Sequence, residues 1–197
     1  WMASEDHDYE EIKSFHLFNR TITWETDQTG PVGRFEMKDW QSVKDELLEL
    51  FINHPDSEIV SLLNNFTGDN YATAFRKLVN SLVGNYGVVI IDGDDTAFKR
   101  SFLPYMQKDV RENTSFKAIT STTDKLVALG GKQQIVPREI NLFYIANGVR
   151  ERLIEFDENI EIQGKGMFTK EEILLWMEKN PEDFSPNVSL RPLYQEV

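Results

Sequence analysis

Two stretches of the chain place carboxylates between a strand and a helix, and this order constrains the fold more than any other feature. The β-branched run at residues 88–91 predicts a parallel strand covered on both faces, and it leads through Asp92-Gly93-Asp94-Asp95 into a helical pattern. The chain start repeats the order, since apolar residues run into Glu5-Asp6-His7-Asp8 and then into a helix-forming segment at 9–13. Both junctions are typical of an α/β fold with a parallel sheet.

The two acidic loops have a functional and a structural interpretation. Ligands of open α/β sheets bind beyond the carboxyl ends of the strands. If the two strands are neighbours, their loops face one crevice, whose lining is then Glu5, Asp6, His7, Asp92, Asp94 and Asp95. Helix capping is the alternative, by Asp8 with Glu11 at the first junction and by Asp94 or Asp95 at the second. The sequence leaves both interpretations open.

Charge and composition exclude several classes of protein. The 197 residues carry 33 acids against 21 bases, a formal net charge of −12, and such a surface repels nucleic acid. The absence of cysteine excludes a disulfide framework and a cysteine–zinc site. No apolar run approaches the ~20 residues of a membrane span, and no signal peptide is visible. We therefore expect a cytoplasmic protein without a membrane or nucleic-acid partner.

The segment after the first helix predicts a hairpin and then helices. Residues 21–24 and 33–37 alternate in polarity around a Gly30-Pro31 loop, as half-buried strands do. Arg34 would lie on the second strand, either solvated or in contact with an anion. After Asp39 the apolar residues recur at helical spacing, and Asp39 is the expected N-cap of that helix. Helices are also predicted after Asp56, Asn70, Asp95 and Ser115, with Pro104 kinking or restarting the helix that follows Asp95.

The last third of the chain changes to an antiparallel pattern. Residues 134–137 and 142–145 are strand-like, and Asn147-Gly148 favours a type I′ turn. Residues 152–156 would form the strand that runs back from this turn, and residues 160–162 a further strand. A capping box at Thr169 and Glu172 then opens a helix.

These patterns divide the chain into three parts. Residues 1–132 are expected to belong to a Rossmann-like parallel-sheet core with helical and hairpin insertions. Residues 133–168 would form a small antiparallel β insertion, and residues 169–197 a helix and loop that return to the core. Arg191 in that loop is suited to bind a carboxylate through two hydrogen bonds.

Motifs alone do not identify a reaction. The chain has no Walker loop, no GxGxxG and no GxSxG. Two further functions therefore stay open. One is a metal-dependent hydrolase, whose ligands would be Glu5, Asp6, His7, Asp92 and Asp94. The other is a non-catalytic interaction domain in which the acids only cap helices.

Several segments along the chain resemble one enzyme family. Residues 1–12, WMASEDHDYEEI, are similar to the WxAxEDHDxxEI segment of BshC, the bacillithiol biosynthesis cysteine-adding enzyme, a cysteine ligase. The likeness continues through Gly30-Pro31-Val32 and the strand ending at Asp92, and resumes at Asn141-Leu142-Phe143-Tyr144. It is again specific at 180–196, where Ser185-Pro186-Asn187-Val188 leads to Arg191-Pro192-Leu193-Tyr194-Gln195.

The resemblance implies a Rossmann-like core similar to class I aminoacyl-tRNA synthetases, and a coiled coil through which the full-length parent forms a homodimer. It implies addition of cysteine to glucosaminyl malate, with the activating cofactor unknown and a nucleotide compatible. Catalytic residues would be His7, Asp6 and Glu5. Substrate-binding residues would be Asp8, Asp92, Asp94, Asn187 and Arg191, and no metal is implied.

We expect this chain to be an internal fragment of such an enzyme. It opens on Trp1, apparently within a strand, and the family's GGQQ-type segment, GPGE-type segment and coiled coil are absent. The fragment alone is therefore expected to be inactive.

Overall fold

The computed structural model describes residues 2–3, 9–194 and 196. The chain divides into two compact units, Trp1–Asp94 and Asp95–Val197. Each is described by itself below.

Unit 1 contains one parallel strand pair, one hairpin and three longer helices. Its elements are β1 Met2–Ala3, α1 Tyr9–Ile12, β2 Ser14–Leu17, β3 Arg20–Thr23, α2 Gln41–Leu50, α3 Glu58–Asn65, α4 Tyr71–Val83 and β4 Ile91–Asp92. β1 and β4 are parallel neighbours, whereas β2 and β3 pair antiparallel. The parallel pairing predicted for the strands of the two acidic junctions is thus confirmed.

The core of unit 1 is rich in aromatic rings. It is built from Ile22, Trp24, Val32, Phe35, Val43 and Leu47. Trp24 is 1% exposed and stacks on Tyr71 at a centroid distance of 5.5 Å. The Tyr9 hydroxyl donates a hydrogen bond to the Trp24 carbonyl, which ties α1 to the strand segment. Burial of such large rings is the main stabilising contribution to this unit.

The hairpin was predicted with the wrong partner strand for residues 21–24. Residues 21–24 contribute to β3 as expected, but β3 pairs with β2 and not with residues 33–37. Those residues instead contain part of two 3-10 turns, Val32–Arg34 and Met37–Trp40. Asp39 does not cap α2, because its carboxylate accepts a hydrogen bond from the Thr26 hydroxyl at 2.6 Å.

The strand predicted at residues 88–91 is shorter and more exposed than expected. β4 covers only Ile91–Asp92. Val88 is 37% exposed and Val89 is 71% exposed, so cover on both faces is wrong for this part of the run. Helix α4 packs against β1 and β4, which accounts for the half-buried character of Ile91.

Unit 2 combines four helices with one antiparallel sheet. Its elements are α5 Thr96–Glu112, α6 Thr114–Ala128, β5 Leu142–Tyr144, β6 Glu151–Phe156, β7 Asn159–Ile162, β8 Gly166–Thr169, α7 Lys170–Lys179, β9 Phe184–Pro186 and α8 Arg191–Tyr194. The sheet order is β8-β7-β6-β5-β9. α5 packs on α7, and α7 packs on β7 and β8.

The antiparallel pattern predicted from Asn147-Gly148 is confirmed. Both residues have positive φ, +56° and +70°, as a type I′ turn requires, and β5 pairs antiparallel with β6. The strand predicted at 134–137 is wrong, since those residues form no strand and Val136 is 66% exposed. The sheet gains β8 and β9, which were not predicted.

Two helix predictions in unit 2 have different outcomes. The capping box is confirmed in both directions: the Thr169 hydroxyl accepts from the Glu172 backbone N–H, and the Glu172 carboxylate accepts from the Thr169 N–H. A restart at Pro104 is wrong, because α5 continues through that residue as one helix.

Candidate functional site

The carboxyl ends of β1 and β4 lie side by side. Met2 pairs with Ile91 and Ala3 pairs with Asp92 in parallel register. The chain therefore leaves both strands in the same direction, as the crevice hypothesis requires. The first loop itself, with the predicted residues Glu5, Asp6, His7 and Asp8, lies outside the described residues. Their roles stay predictions.

The second loop closes on itself at the end of β4. The Asp92 carboxylate accepts a hydrogen bond from the Asp94 backbone N–H at 2.9 Å across the buried Gly93. This Asx-type turn fixes the direction in which the Asp94 side chain leaves the strand. Both acids are half-buried.

Capping at the second junction belongs to Asp95. Its carboxylate accepts from the Ala97 backbone N–H at 2.8 Å, as an N-cap of α5. Asp94 does not cap the helix. The capping interpretation therefore holds for Asp95, and Asp94 stays a candidate residue of the site.

Arg34 is the residue that the sequence did not assign to this loop. Its Nε donates to Asp94 Oδ2 at 2.5 Å, and its Nη2 donates to Asp94 Oδ1 at 2.7 Å. The guanidinium thus donates one hydrogen bond to each oxygen of the carboxylate. Arginine is preferred for this bidentate geometry. The expectation of a solvated arginine on a strand is wrong, because Arg34 ends a 3-10 turn and its side chain is 32% exposed. In the sequence, the one feature that pointed to a role for Arg34 was its position soon after Gly30-Pro31-Val32, a segment of the family resemblance.

The ion pair changes the electrostatics predicted for the crevice. The Arg34 cation offsets the charge of Asp94, whereas the Asp92 carboxylate accepts a hydrogen bond from a backbone N–H, which carries no formal charge. Of the two predicted binding acids at β4, Asp92 is therefore the better suited to attract an amine.

In unit 2, Asn187 stands at the centre of a hydrogen-bonded loop. Its Nδ2 donates to Asn141 Oδ1 at 2.9 Å, and its Oδ1 accepts from the Ser189 N–H at 2.8 Å. Both polar atoms of the predicted binding side chain thus have protein partners. Arg191 begins α8 four positions later, half-buried, with its N–H bonded to the Asn187 carbonyl at 3.1 Å.

Asn141 and Asp109 complete that loop from within the fold and were not predicted as site residues. Asn141 is 0% exposed and Asp109 is 1% exposed. The Asp109 carboxylate accepts from the backbone N–H groups of Ser115 at 2.8 Å and Asn141 at 2.9 Å. A buried carboxylate bound by two N–H donors is stabilised without a cation.

A metal site is not formed by the residues that the structure describes: no three of their His, Asp and Glu side chains are grouped to hold an ion. Three residues of the hydrolase hypothesis, Glu5, Asp6 and His7, lie outside this set. Within residues 9–194, no helix has the length and apolar character to cross a membrane.

Comparison with known proteins identifies relatives along the whole chain. Residues 1–197 match the model described as "Bacillithiol biosynthesis BshC, N-terminal Rossmann-like domain". A protein of Flavobacterium johnsoniae named "Putative cysteine ligase BshC" is 43% identical over 201 residues. Proteins of the same name from Flavobacterium psychrophilum and Cytophaga hutchinsonii are 40% and 38% identical.

These relatives are longer than the chain. Each alignment covers 100% of the chain but only 37–38% of the relative. With a family model matched from the first residue to the last, and with β1 and β4 parallel at the predicted junctions, the chain belongs to the BshC family and spans its N-terminal Rossmann-like domain.

Proposed function

We propose that the full-length protein is a cytoplasmic ligase that adds cysteine to glucosaminyl malate in bacillithiol biosynthesis. Membership of the BshC family and the ligase name of its relatives support this reaction. Because the chain spans 37–38% of those relatives, the reaction is assigned to the full-length protein, which we propose is a homodimer.

One observation carries the location of the chemistry. Because Ala3 pairs with Asp92 in parallel register, the carboxyl ends of β1 and β4 lie at the same end of the strand pair. That is the end at which α/β folds bind their ligands. We therefore propose the crevice beyond β1 and β4 as the reaction site.

His7 is proposed as the base of the reaction. Joining the cysteine carboxyl to the amine of glucosaminyl malate forms an amide and releases the group that activates the carboxyl. The amine is protonated near neutral pH and must lose a proton to attack, so the reaction needs a base. An imidazole titrates in that range. Neighbouring carboxylates, here Glu5 and Asp6, would hold the ring in one tautomer and stabilise its protonated form.

The remaining predicted residues are proposed to bind substrate. Asp8 and Asp92 would attract the amine of glucosaminyl malate, and Asp94 would act with Arg34 to shape the same crevice. Arg191 is proposed to bind carboxylates such as those of malate, for which a guanidinium offers two donors. Asn187, whose side-chain atoms bond Asn141 and Ser189, is proposed to contribute to that binding through Arg191.

The test compares full-length His7→Ala and His7→Gln with wild type. Turnover of cysteine and glucosaminyl malate and affinity for glucosaminyl malate are measured, with folding checked by circular dichroism. We expect turnover to fall by about 10²-fold or more, as for loss of a general base, while affinity for glucosaminyl malate holds. His54→Gln is the matched control, since His54 is exposed in a loop of unit 1.

Each other outcome has a distinct meaning. Wild-type turnover in both His7 variants would make His7 a structural residue and the proposed site wrong. Loss of affinity with intact turnover at saturation would make the loop a binding element. No ligation by the wild-type protein would refute the proposed reaction.

A further inference from the structure

Asn141 uses all of its polar groups inside unit 2. Its backbone N–H donates to Asp109, and its side-chain amide donates to the Ser115 hydroxyl at 2.6 Å and to the Arg138 carbonyl at 2.7 Å. Its side-chain oxygen accepts from Asn187 Nδ2, and its carbonyl accepts from the Asn187 N–H at 3.0 Å. A residue this buried and this fully bonded has one orientation available to it.

The two bonds to Asn187 extend the sheet by one residue. Leu142 of β5 pairs with Pro186 of β9, so Asn141 and Asn187 are the next pair along the same ladder. At this position the amide side chains add a second bond beside the backbone one. The end of β9 is therefore fixed to the buried network and not only to the strand edge.

Asn187 in turn binds the backbone at the start of α8. Its carbonyl accepts from the N–H groups of Leu190 at 3.0 Å and Arg191 at 3.1 Å, and its side-chain oxygen accepts from Ser189. The Arg191 backbone is thus one hydrogen bond away from Asn187 and two from Asn141.

We propose that Asn141, acting through Asn187, is a positioning residue for Arg191 in the binding of glucosaminyl malate; this rests on the carboxylate-binding role proposed above for Arg191. Two-point binding of a carboxylate requires a defined guanidinium position, and small displacements of a binding group reduce its contribution sharply. The hydrogen bond from Asn187 Nδ2 to Asn141 Oδ1 fixes the position of Asn187, and through it the position of Arg191.

Asn187→Asp tests the link selectively. The aspartate keeps an oxygen for the Ser189 N–H but presents an oxygen, in place of the amide donor, to Asn141 Oδ1. In the full-length protein we expect the KM for glucosaminyl malate to rise by about ten-fold, with kcat and the KM for cysteine within about two-fold of wild type. Asn147→Asp makes the same chemical change at an exposed turn of unit 2 and should leave all three values unchanged.

A double variant separates positioning from direct contact. If Asn187 acts through Arg191, then Asn187→Asp adds nothing to the KM increase caused by Arg191→Ala. An unchanged KM in Asn187→Asp, an additive effect in the double variant, or an equal loss in kcat would each overturn the inference.

Failure of the proposed reaction is distinguishable from failure of this inference. If the wild-type protein does not ligate, calorimetric affinity for glucosaminyl malate replaces KM in the same five proteins. Weaker, non-additive binding then supports positioning, whereas absence of binding by wild type overturns it together with the proposed role of Arg191.

Discussion

Arg34 and Asp94 are joined by two hydrogen bonds, of 2.5 and 2.7 Å, although a long helical segment separates them in the chain. The pair attaches the turn that follows Gly30-Pro31 to the end of β4. It therefore joins Arg34 to the acidic loop that follows β4.

A double-mutant cycle measures this coupling. We expect Arg34→Gln and Asp94→Asn to destabilise the chain, with a coupling energy of about 1–2 kcal/mol for the charge-assisted pair. The measurement is the free energy of unfolding in urea. The control cycle uses Lys38→Gln and Glu36→Gln, whose ion pair is exposed on both sides and should show no measurable coupling. Equal coupling in both cycles would contradict the assignment.

Asp92→Asn separates charge from turn geometry. The asparagine retains an oxygen for the Asp94 N–H, so stability should stay within about 0.5 kcal/mol of wild type. If the Asp92 charge attracts the amine of glucosaminyl malate, the KM of the full-length protein rises by about ten-fold. Asp27→Asn, at an exposed position of unit 1, serves as the control. An unchanged KM would remove Asp92 from the proposed site.

Glu155 is expected to contribute pH-dependent stability to unit 2. Burial by itself raises the pKa of Glu155, but hydrogen bonds from Lys170 and Asn113, each 2.5 Å long, together with the Lys170 charge, bring it below the ordinary value. A depressed pKa stabilises the fold above the carboxyl pKa of the unfolded chain. That contribution is lost as pH falls through the folded-state pKa.

Glu155→Gln should therefore flatten the acid side of the stability profile. The free energy of unfolding, measured by urea titration from neutral pH to about pH 3, should fall less in the variant than in wild type. Glu158→Gln, in the exposed turn between β6 and β7, should reproduce the wild-type slope. Identical slopes in all three proteins would argue against the Lys170 contact.

The capping box at the start of α7 predicts a separate effect on the stability of unit 2. Thr169→Ala removes the hydroxyl that accepts from the Glu172 N–H and should cost about 1 kcal/mol in the free energy of unfolding. Ser121→Ala, at an exposed interior position of α6, should be neutral or slightly stabilising. A Thr169 variant as stable as wild type would show that α7 is fixed by its packing alone.

The elements that were predictable have local signals. The repeated order of strand, acidic loop and helix indicated that β1 and β4 are parallel, and Asn147-Gly148 indicated an antiparallel return. The hairpin of β2 and β3 lacks such a signal. Its turn is Phe18-Asn19, and Phe18 adopts a φ of +52°, a conformation that a bulky residue rarely takes. Its ring lies 6.3 Å from that of Phe51, a tertiary contact that local sequence cannot reveal.

The site was predictable to the same degree. Acids at strand ends were identifiable from spacing, but the partner of Asp94 was not, because an arginine gives no periodic signal and its carboxylate lies in a distant segment. In the sequence, Asn141 stands out only as part of the family segment at 141–144. Its role depends on burial beside Asp109, which no pattern at that position encodes.

The pairing of β5 with β9 sets an order on biosynthesis. β5 cannot gain its second neighbour until β6, β7, β8, α7 and β9 have all emerged from the ribosome, because β9 is that neighbour and follows the other four elements in the chain. The hydrogen bonds from Asn187 to Asn141 form at the end of that strand, so the loop that leads to Arg191 becomes ordered after the rest of the sheet. Until then the nascent chain exposes the edge of β5, whose three residues are all buried in the finished fold.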